Sequence, residues 1–240
     1  MPDRKPVAVI TGASQGLGLV LAHELASLGW SLVLDARDAE RLERAVASLP
    51  GGPHRAIAGD VTDPAHRRDV VDGAAALGGA DVLVNNASTL GASPLPALAD
   101  LDTTAYLRVL EVNLVAPVAL AAALARQLRT RSGRVVNVTS DAAVEAYPTW
   151  GGYGSSKAGL DHASRVLAAE EPSLRVYAVD PGDMRTQMHQ DAFPGADISD
   201  RPEPEHAVPA LVRLLVEDLP GGRYRAEELL ATQASSAVPA

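Results

Sequence analysis

The sequence predicts an α/β fold in which a doubly wound parallel sheet carries helices on both faces. Two observations support this prediction. Short apolar segments alternate with segments of helical length and periodicity, and turn residues separate each segment from the next. Strands that alternate with helices form βαβ units, which build parallel sheets covered on both faces. The chain shows no internal repeat or linker, so we predict a single domain over residues 1–240.

Strands are predicted where short, mostly apolar runs lie between turn residues, a pattern typical of strands buried on both faces. The predicted strands cover residues 6–11, 31–35, 55–58, 82–85, 134–139 and 174–179. Each ends close to small or polar residues. In a doubly wound sheet, ligands bind beyond the carboxyl ends of the strands, so we expect the functional residues to follow the strands directly.

Helices are predicted between these strands from their periodicity and their caps. Leucines recur at helical spacing through the first helix, and Gly29 is a C-terminal stop. Asp38 and Asp63 are predicted N-caps, the second with Pro64 at the first helical position. The predicted helices cover residues 16–28, 38–48, 63–77, 102–129, 153–170 and 207–216, with a local disturbance at Pro117. Residues 184–206 are rich in Pro, Asp and Gly and are predicted to form a mobile substrate loop.

Composition excludes several classes of function. The net charge of -9 argues against binding to nucleic acid, whose phosphates would be repelled. The chain has no cysteine and its six histidines are scattered, which argues against a zinc-dependent dehydrogenase and predicts no metal site. The first residues carry no apolar signal segment, and we expect no membrane-spanning stretch. These features predict a cytoplasmic protein without a nucleic-acid or membrane partner.

A glycine-rich turn lies between the first predicted strand and the first predicted helix, in the order Gly12-Ala13-Ser14-Gln15-Gly16-Leu17-Gly18. Glycines at such a turn allow the backbone to approach a pyrophosphate, and the helix N-terminus offers free N–H groups to the phosphates. The alternative is that this turn is an ordinary connecting loop. The position of the glycine-rich turn in the first βα unit favours a dinucleotide site.

Tyr153 and Lys157 stand four residues apart on one predicted helix, so their side chains project from the same face. A tyrosine has an ordinary pKa of about 10, and a nearby ammonium group favours its phenolate form. The pair is therefore a candidate for general acid–base chemistry. Chance pairs at this spacing are common on exposed helices, so the assignment depends on the surrounding residues.

Two further polar residues stand where they could assist. Ser140 follows the strand 134–139, where its hydroxyl could bind a substrate oxygen, although it or Thr139 could equally cap a turn. Asn113 lies inside a predicted helix, which asparagine disfavours. It either has a functional role or is a buried amide that satisfies a neighbouring backbone group.

The spacing Gly-x3-Gly-x-Gly and the order Asn113, Ser140, Tyr153, Lys157 resemble the short-chain dehydrogenase/reductase family over about residues 6–187. The resemblance implies a Rossmann-like fold and an NAD(P)(H)-dependent oxidoreductase that interconverts a carbonyl and a secondary alcohol. It implies that Tyr153 exchanges the proton and that Ser140 positions the carbonyl. Lys157 would lower the pKa of Tyr153 and bind the nicotinamide ribose, and Asn113 would hold a water of the proton relay.

The resemblance also implies a set of cofactor contacts. Asp60-Val61 follows the third strand, Asn86-Ala87 belongs to a segment similar to the family's Asn-Asn-Ala-Gly, and 180–186 resembles its Pro-Gly-x3-Thr segment. Residues 219–224 resemble the family's final strand only loosely. The implied cofactor-binding residues are Gly12, Ser14, Gln15, Gly16, Leu17, Gly18, Arg37, Asp60, Val61, Asn86, Ala87, Tyr153, Lys157, Pro181, Gly182, Met184 and Thr186.

The end of the second strand bears on the choice between NADP(H) and NAD(H). Asp35 could accept a hydrogen bond from a ribose 2′-hydroxyl, whereas Arg37 could bind a 2′-phosphate. In the family, the acid that selects NAD stands one position after Asp35, where this chain has Ala36. Gln15 occupies the place of a second basic residue. We favour NADP(H), with NAD(H) as the alternative. A further possibility is that Asp35 and Arg37 form an ion pair with each other and select neither cofactor.

The substrate is not identified by the sequence beyond a small carbonyl compound or alcohol. Apolar residues that could line its pocket are Tyr147, Pro148, Trp150, Met184, Met188 and Phe193, and residues 93–96 could form another wall; each could equally be a core or interface residue. Members of the family are usually dimers or tetramers built on the helices that contain Asn113 and Tyr153. The resemblance therefore implies a homodimer or homotetramer.

Two other functions are compatible with a dinucleotide site. A non-catalytic sensor or scaffold would bind the cofactor without turnover, but it would not need the Tyr153–Lys157 pair. An epimerase or dehydratase would use the cofactor transiently, but such proteins usually have a larger C-terminal region than the one that follows Thr186. Turnover of a carbonyl compound excludes the first function, and a cofactor that is never released would support the second.

Overall fold

The computed structural model describes residues 4–236, and the parts of the predicted 1–240 domain at 1–3 and 237–240 lie outside the described residues. Within them, seven parallel strands form one sheet in the order β3-β2-β1-β4-β5-β6-β7. The strands are β1 Val7–Thr11, β2 Ser31–Ala36, β3 His54–Ala58, β4 Val82–Asn85, β5 Arg134–Val138, β6 Arg175–Asp180 and β7 Gly222–Arg225. The predicted fold class is confirmed.

Helices connect the strands and cover both faces of the sheet. They are α1 Gly16–Ser27, α2 Ala39–Ala47, α3 Pro64–Ala76, α4 Thr103–Leu110, α5 Ala116–Thr130, α6 Gly151–Glu170, α7 Gln187–Ala192, α8 Val208–Val216 and α9 Ala226–Ser236. The caps predicted for α2 and α3 are present, because Asp38 accepts a hydrogen bond from Arg41 N and Asp63 accepts one from Ala65 N.

Alternate residues of the strands supply the two halves of the core, as the two-residue period of a strand requires. In β1, Ala8 and Ile10 pack into a cluster with the leucines of α1 and α8, whereas Val9 packs into a second cluster with α3 and α5. The strand order reverses between β1 and β4, so the connections leave toward opposite edges and open a crevice at their carboxyl ends.

The helix predicted over 102–129 is divided into three parts. A π-helical turn, Glu111–Val115, lies between α4 and α5, and Pro117 lies in the first turn of α5. The local disturbance predicted at Pro117 is present as this π-helical turn directly before it: the backbone stays helical from Leu110 to Ala116, so Pro117 offers no N–H to the preceding turn and its ring crowds the carbonyl four residues back, that of Asn113. The Asn113 side chain is hydrogen-bonded to other segments.

The segment Thr103–Thr130 is long and apolar enough to cross a membrane by length and composition, contrary to the expectation that no such stretch exists. Core helices satisfy the same criterion. Here Leu120, Leu124 and Leu128 are fully buried in the cluster that packs on the sheet. Their burial accounts for the apolar character of this segment.

Two helices and one strand were not assigned from the sequence. α7 lies within the predicted loop 184–206 and begins at Thr186, whose hydroxyl accepts a hydrogen bond from His189 N. β7 pairs with β6 at the edge of the sheet, and α9 follows it with Leu229 buried against the core. The loosely suggested strand is thus present, although it begins at Gly222.

Candidate active site

A cavity of about 1340 Å³ lies at the carboxyl ends of the central strands. It begins at the glycine turn after β1 and ends at α7. Most of the predicted site residues line it; these are Gly12, Ser14, Gln15, Gly16, Leu17, Arg37, Asp60, Val61, Asn86, Ala87, Ser140, Tyr153, Lys157, Pro181, Gly182, Met184 and Thr186. Gly18 and Asn113 lie behind its wall.

The glycine turn is held against the loop after β4. Asn86 Nδ2 donates hydrogen bonds to the carbonyls of Thr11, at 2.9 Å, and Gly12, at 3.1 Å. Gly12 has φ +65°, and a Cβ there would lie 2.8 Å from Ala87 Cα, so only glycine fits. A Cβ at Gly18 would lie 2.6 Å from Asn86 Nδ2. Gly18 therefore supports the turn by close packing rather than by facing the cavity.

The first turn of α1 faces the cavity with free backbone donors. Gln15 occupies its N-cap, but its side chain makes no capping hydrogen bond. The N–H groups of the first turn are then available to an anion, and the helix dipole favours negative charge there. This part of the site fits a pyrophosphate group.

Tyr153 and Lys157 lie one helical turn apart near the start of α6. Lys157 Nζ lies 5.4 Å from the centroid of the Tyr153 ring and donates a 2.8 Å hydrogen bond to the Val138 carbonyl at the end of β5. Both side chains are almost completely buried, with 8% of Tyr153 and 2% of Lys157 exposed. The sequence-predicted pair is therefore close together and directed into the cavity.

Burial determines the ionisation of both groups. It raises the pKa of Tyr153 above its ordinary value of 10, although hydrogen bonds with Ser88 and Ser140 act in the opposite direction. Burial lowers the pKa of Lys157 to about 8, partly offset by the Asp161 carboxylate. The Asp180 and Asp141 carboxylates also act to raise the pKa of Tyr153, and the lowering of that pKa by Lys157 stays a prediction.

Ser140 adjoins Tyr153 at the end of β5. Its Oγ accepts a hydrogen bond from Ala142 N, at 3.1 Å, and donates one to Asp141 Oδ1, at 2.9 Å. Ser140 thus caps the turn and also lines the cavity, so the two roles considered for it are compatible. Thr139 does not share the capping role: its Oγ1 is buried and has no hydrogen-bond partner within residues 4–236.

The Asn113 amide is fully engaged inside the protein. Its Nδ2 donates to the Thr89 carbonyl and to Ser156 Oγ, and its Oδ1 accepts from Thr89 N and Ser88 Oγ. The residue is completely buried. This geometry is that of a buried amide that satisfies neighbouring groups, and it leaves the side chain no free position for a water.

The adenosine end of the cavity differs from the expectation. Asp35 is almost completely buried and its Oδ1 is hydrogen-bonded to His66 Nε2 from α3. It also accepts a hydrogen bond from the Gly12 backbone. Asp35 lines the cavity but does not pair with Arg37, because its carboxylate is engaged by His66 and the Gly12 backbone. Within residues 4–236, no hydrogen-bond or ion-pair partner of the exposed Arg37 guanidinium is found.

A second arginine reaches the glycine turn from α2. Arg41 donates a hydrogen bond to Gln15 Oε1 and lines the cavity beside Arg37. A second basic residue was expected only inside the glycine turn, so Arg41 was not predicted. Its sequence signal is the spacing: Arg37 stands just before the N-cap of α2 and Arg41 in the first turn of that helix.

Arg108 is another cavity residue that was not predicted from the sequence. It reaches from α4 to the carboxylate of Asp60 and to Thr62 Oγ1, and it lines the cavity. The Asp60 carboxylate is therefore held by the protein. Burial acts to raise its pKa, but hydrogen bonds from Thr62 N and Thr62 Oγ1, together with the Arg108 guanidinium, hold that pKa below its ordinary value.

The family model for short chain dehydrogenases matches residues 6–197 of this chain. The chain belongs to the short-chain dehydrogenase family. An oxidoreductase of Saccharomyces cerevisiae is 32% identical over 185 residues, which cover 76% of this chain and 72% of the yeast protein.

Solved structures of short-chain dehydrogenases have the same fold. A short-chain dehydrogenase from Streptomyces avermitilis superposes with a TM-score of 0.82 at 28% identity, covering 98% of this chain and 94% of the other. An alcohol dehydrogenase from Thermococcus sibiricus, solved with 5-hydroxy-NADP, superposes with a TM-score of 0.80 at 26% identity, covering 92% and 95%. The protein is thus an oxidoreductase of a family that uses NAD(P)(H), and the relatives give no support to a non-catalytic scaffold.

Proposed function

We propose that this short-chain dehydrogenase transfers a hydride between NADP(H) and a carbonyl or secondary alcohol carbon, with Tyr153 exchanging the proton at oxygen. The observation that supports this proposal is the position of Tyr153, Lys157 and Ser140 in one cavity that begins at the glycine turn. The bound dinucleotide would supply the hydride in reduction and accept it in oxidation. The backbone of the glycine turn and Asn86-Ala87 would hold its phosphates and ribose.

The roles of the side chains follow from their positions. In reduction, the Tyr153 phenol donates its proton to the carbonyl oxygen while the carbon receives the hydride. On substrate binding, the Ser140 hydroxyl proton turns from Asp141 Oδ1 to the same oxygen, where the hydrogen bond stabilises the charge that develops. The Lys157 ammonium stabilises the phenolate that Tyr153 becomes. Asn113 acts as a positioning residue that fixes the loop after β4.

The preference for NADP(H) rests on charge at the adenosine end. Arg37 is unpaired among the described residues, and Arg41, which also faces the Asp38 carboxylate, lines the same part of the cavity, so two guanidinium groups would be available to a 2′-phosphate. Asp35 does not oppose the phosphate because its carboxylate is buried and bonded to His66. NAD(H) stays the alternative cofactor.

Fluorescence titration with NADPH and NADH tests this preference. We expect tighter binding of NADPH, with roughly 10-fold or greater weakening in Arg37→Ala and a smaller effect in Arg41→Ala, and little change for NADH. Arg44→Ala is the matched control, because Arg44 lies on the same helix but pairs with Glu40 outside the cavity. Equal affinity for both cofactors in the wild type would contradict the assignment.

We also propose that the chain forms a homodimer or homotetramer through α4, α5 and α6. Leu107, Val115, Val118 and Val166 on and between these helices are large apolar side chains that are 40–55% exposed in the single chain. Covering them would remove apolar surface from water. Sedimentation analysis of wild type and Leu107→Glu tests this: a monomeric wild type would contradict the proposal.

A cytoplasmic location, without nucleic-acid, membrane or metal partners, completes the proposal. It rests on the net charge of -9 and on the absence of cysteine from the chain. Cell fractionation followed by immunoblotting tests the location, and recovery of the protein in the membrane fraction would contradict it.

A further inference from the structure

Aromatic side chains are concentrated at one end of the cavity. The chain has two Trp, five Tyr and one Phe, and four of these eight line the cavity: Tyr147, Trp150, Tyr153 and Phe193. The Trp150 ring lies 5.6 Å from that of Tyr153 and 5.9 Å from that of Phe193. We call Tyr147, Trp150 and Phe193 the aromatic wall. Such rings attract a planar aromatic group through stacked or edge-on contacts.

Asp141 brings a carboxylate to the same end of the cavity, directly after Ser140. Its Oδ1 accepts hydrogen bonds from Ser140 Oγ and from Ala142 N, at 2.9 and 2.8 Å. Its Oδ2 accepts one from the Tyr147 hydroxyl at 3.0 Å. The carboxylate is thus fixed between the candidate carbonyl-binding hydroxyl and the aromatic wall.

Asp141 also differs in charge balance from the other aspartates of the cavity wall. Each of the others has a cationic side chain or a histidine nearby: His66 for Asp35, Arg41 for Asp38, Arg108 for Asp60, Arg223 for Asp180 and Arg201 for Asp183. Within residues 4–236, Asp141 has hydrogen-bond donors but no ion-pair partner.

The cations at this end are already engaged elsewhere. Arg185 is paired with Glu203, and Lys157 donates to the Val138 carbonyl. His189 faces the Asp183 carboxylate at 3.8 Å. The substrate end therefore presents one uncompensated negative charge beside aromatic rings, which disfavours carboxylate and phosphate groups and favours a cation.

We propose that this end of the cavity selects an aromatic carbonyl compound that carries a protonated amine, with Asp141 as the specificity-determining residue and the aromatic wall as the surface for its ring. The inference rests on the proposed function, because Ser140 and Tyr153 define where the carbonyl binds. An ion pair in a partly buried site predicts a preference of roughly 10- to 100-fold for the cation.

Three matched ketones test the charge preference: 4-acetylbenzylamine, 4-(hydroxymethyl)acetophenone and 4-acetylbenzoate. We expect kcat/KM for reduction with NADPH to fall in that order. Asp141→Asn should bring the three values within about threefold of one another. Glu145→Gln, which removes a nearby exposed carboxylate outside the cavity, should leave the order unchanged. Equal kcat/KM values in the wild type would overturn the inference and leave the proposed function intact.

Calorimetry with amides that cannot be reduced by hydride transfer separates the two claims. In the presence of NADP⁺, 4-(aminomethyl)benzamide should bind more tightly than 4-carboxybenzamide, and Asp141→Asn should abolish the difference. If none of the three ketones is reduced, the calorimetry alone decides the charge preference: equal affinities overturn it, whereas the proposed function is decided separately by hydride transfer to any carbonyl compound. Circular dichroism and NADPH binding verify that Asp141→Asn is folded.

The aromatic wall has its own test. Benzamide should bind roughly 2- to 10-fold more tightly than cyclohexanecarboxamide, which has a similar size but no aromatic ring. Trp150→Leu should remove this difference. Equal binding of the two amides to the wild type would overturn the aromatic part of the inference.

Discussion

Lys157 Nζ lies 5.4 Å from the centroid of the Tyr153 ring, and both residues are buried beneath the carboxyl end of β5. Burial acts on the two groups in opposite directions: it raises the pKa of the phenol and lowers that of the ammonium group to about 8. Burial of Lys157 in its charged ammonium form therefore destabilises the folded protein. This effect can be measured in the free energy of unfolding.

Replacement of Lys157 by Met should stabilise the folded protein near neutral pH. The pKa of Lys157 is about 8 in the folded state and ordinarily 10.5, so the unfolded state binds more protons as the pH falls below 10.5. The free energy of unfolding of Lys157→Met should exceed that of the wild type by up to about 3 kcal/mol at pH 7 and by less than about 1 kcal/mol at pH 10. Urea denaturation at both pH values measures this.

Lys5→Met is the control, because Lys5 is exposed and, within residues 4–236, its ammonium group donates only to the Gly52 carbonyl. It should change stability little at either pH. A Lys157→Met protein that is less stable than the wild type at both pH values would show that the hydrogen bond to Val138 outweighs desolvation of the ammonium group.

The buried contact between Asp35 and His66 should be important for stability. The hydrogen bond that His66 donates to Asp35 raises the pKa of His66 above 6.5, so the protonated histidine stabilises the fold below pH 6.5. This contribution is lost as the pH rises through the raised pKa. We expect His66→Gln to lower the free energy of unfolding by roughly 3 kcal/mol at pH 6, because it leaves Asp35 buried without its charge partner, and by less at pH 9.

Two variants sharpen the His66 test. The double variant Asp35→Asn/His66→Gln should recover part of the stability, since neither buried group then carries a charge. His162→Gln, at an exposed position of α6, should show no such pH dependence. A destabilisation by His66→Gln that is the same at pH 6 and pH 9 would mean that His66 acts only by packing.

Alanine substitution should have different effects at two glycines with positive φ: Gly12 in the glycine turn and Gly29 after α1. Gly12→Ala should reduce stability by more than the roughly 1 kcal/mol expected from the backbone angle, because its Cβ would press against Ala87 Cα, and it should also weaken NADPH binding. Gly29 has φ +86°, but no atom lies within 4 Å of the Cβ that Gly29→Ala would add. This variant should therefore lower the free energy of unfolding by about 1 kcal/mol and bind NADPH normally. Thermal unfolding and titration distinguish the two.

Much of the fold follows from local sequence signals. The alternation of apolar runs with helical segments predicted six strands correctly, and the Asp38 and Asp63 caps mark helix starts that the structure retains. β7 was hard to predict because it is a short, half-exposed edge strand, Gly222–Arg225, with two arginines and no apolar run. α7 could not be predicted because its six residues lie in a segment that is rich in turn-forming residues.

The site was predictable where its residues follow strands, and less so where partners come from distant elements. Tyr153, Lys157 and Ser140 converge as their positions after β5 and on α6 implied. The Asp35–His66 contact joins residues that are 31 positions apart in the sequence, so no local sequence pattern predicts it. The Asn113 side chain, in the π-helical turn, is hydrogen-bonded to Thr89 and Ser156 of other segments, and helix propensity does not reflect such contacts.

The most direct test of the account is the rate of ketone-dependent NADPH oxidation by wild type and Tyr153→Phe, measured with the NADPH dissociation constant of each. The account predicts that kcat falls by roughly 100-fold or more in the variant while NADPH affinity stays within about threefold, because only the transferred proton is removed. A Tyr153→Phe protein that keeps the wild-type kcat would contradict the assignment of Tyr153 as the group that exchanges the proton.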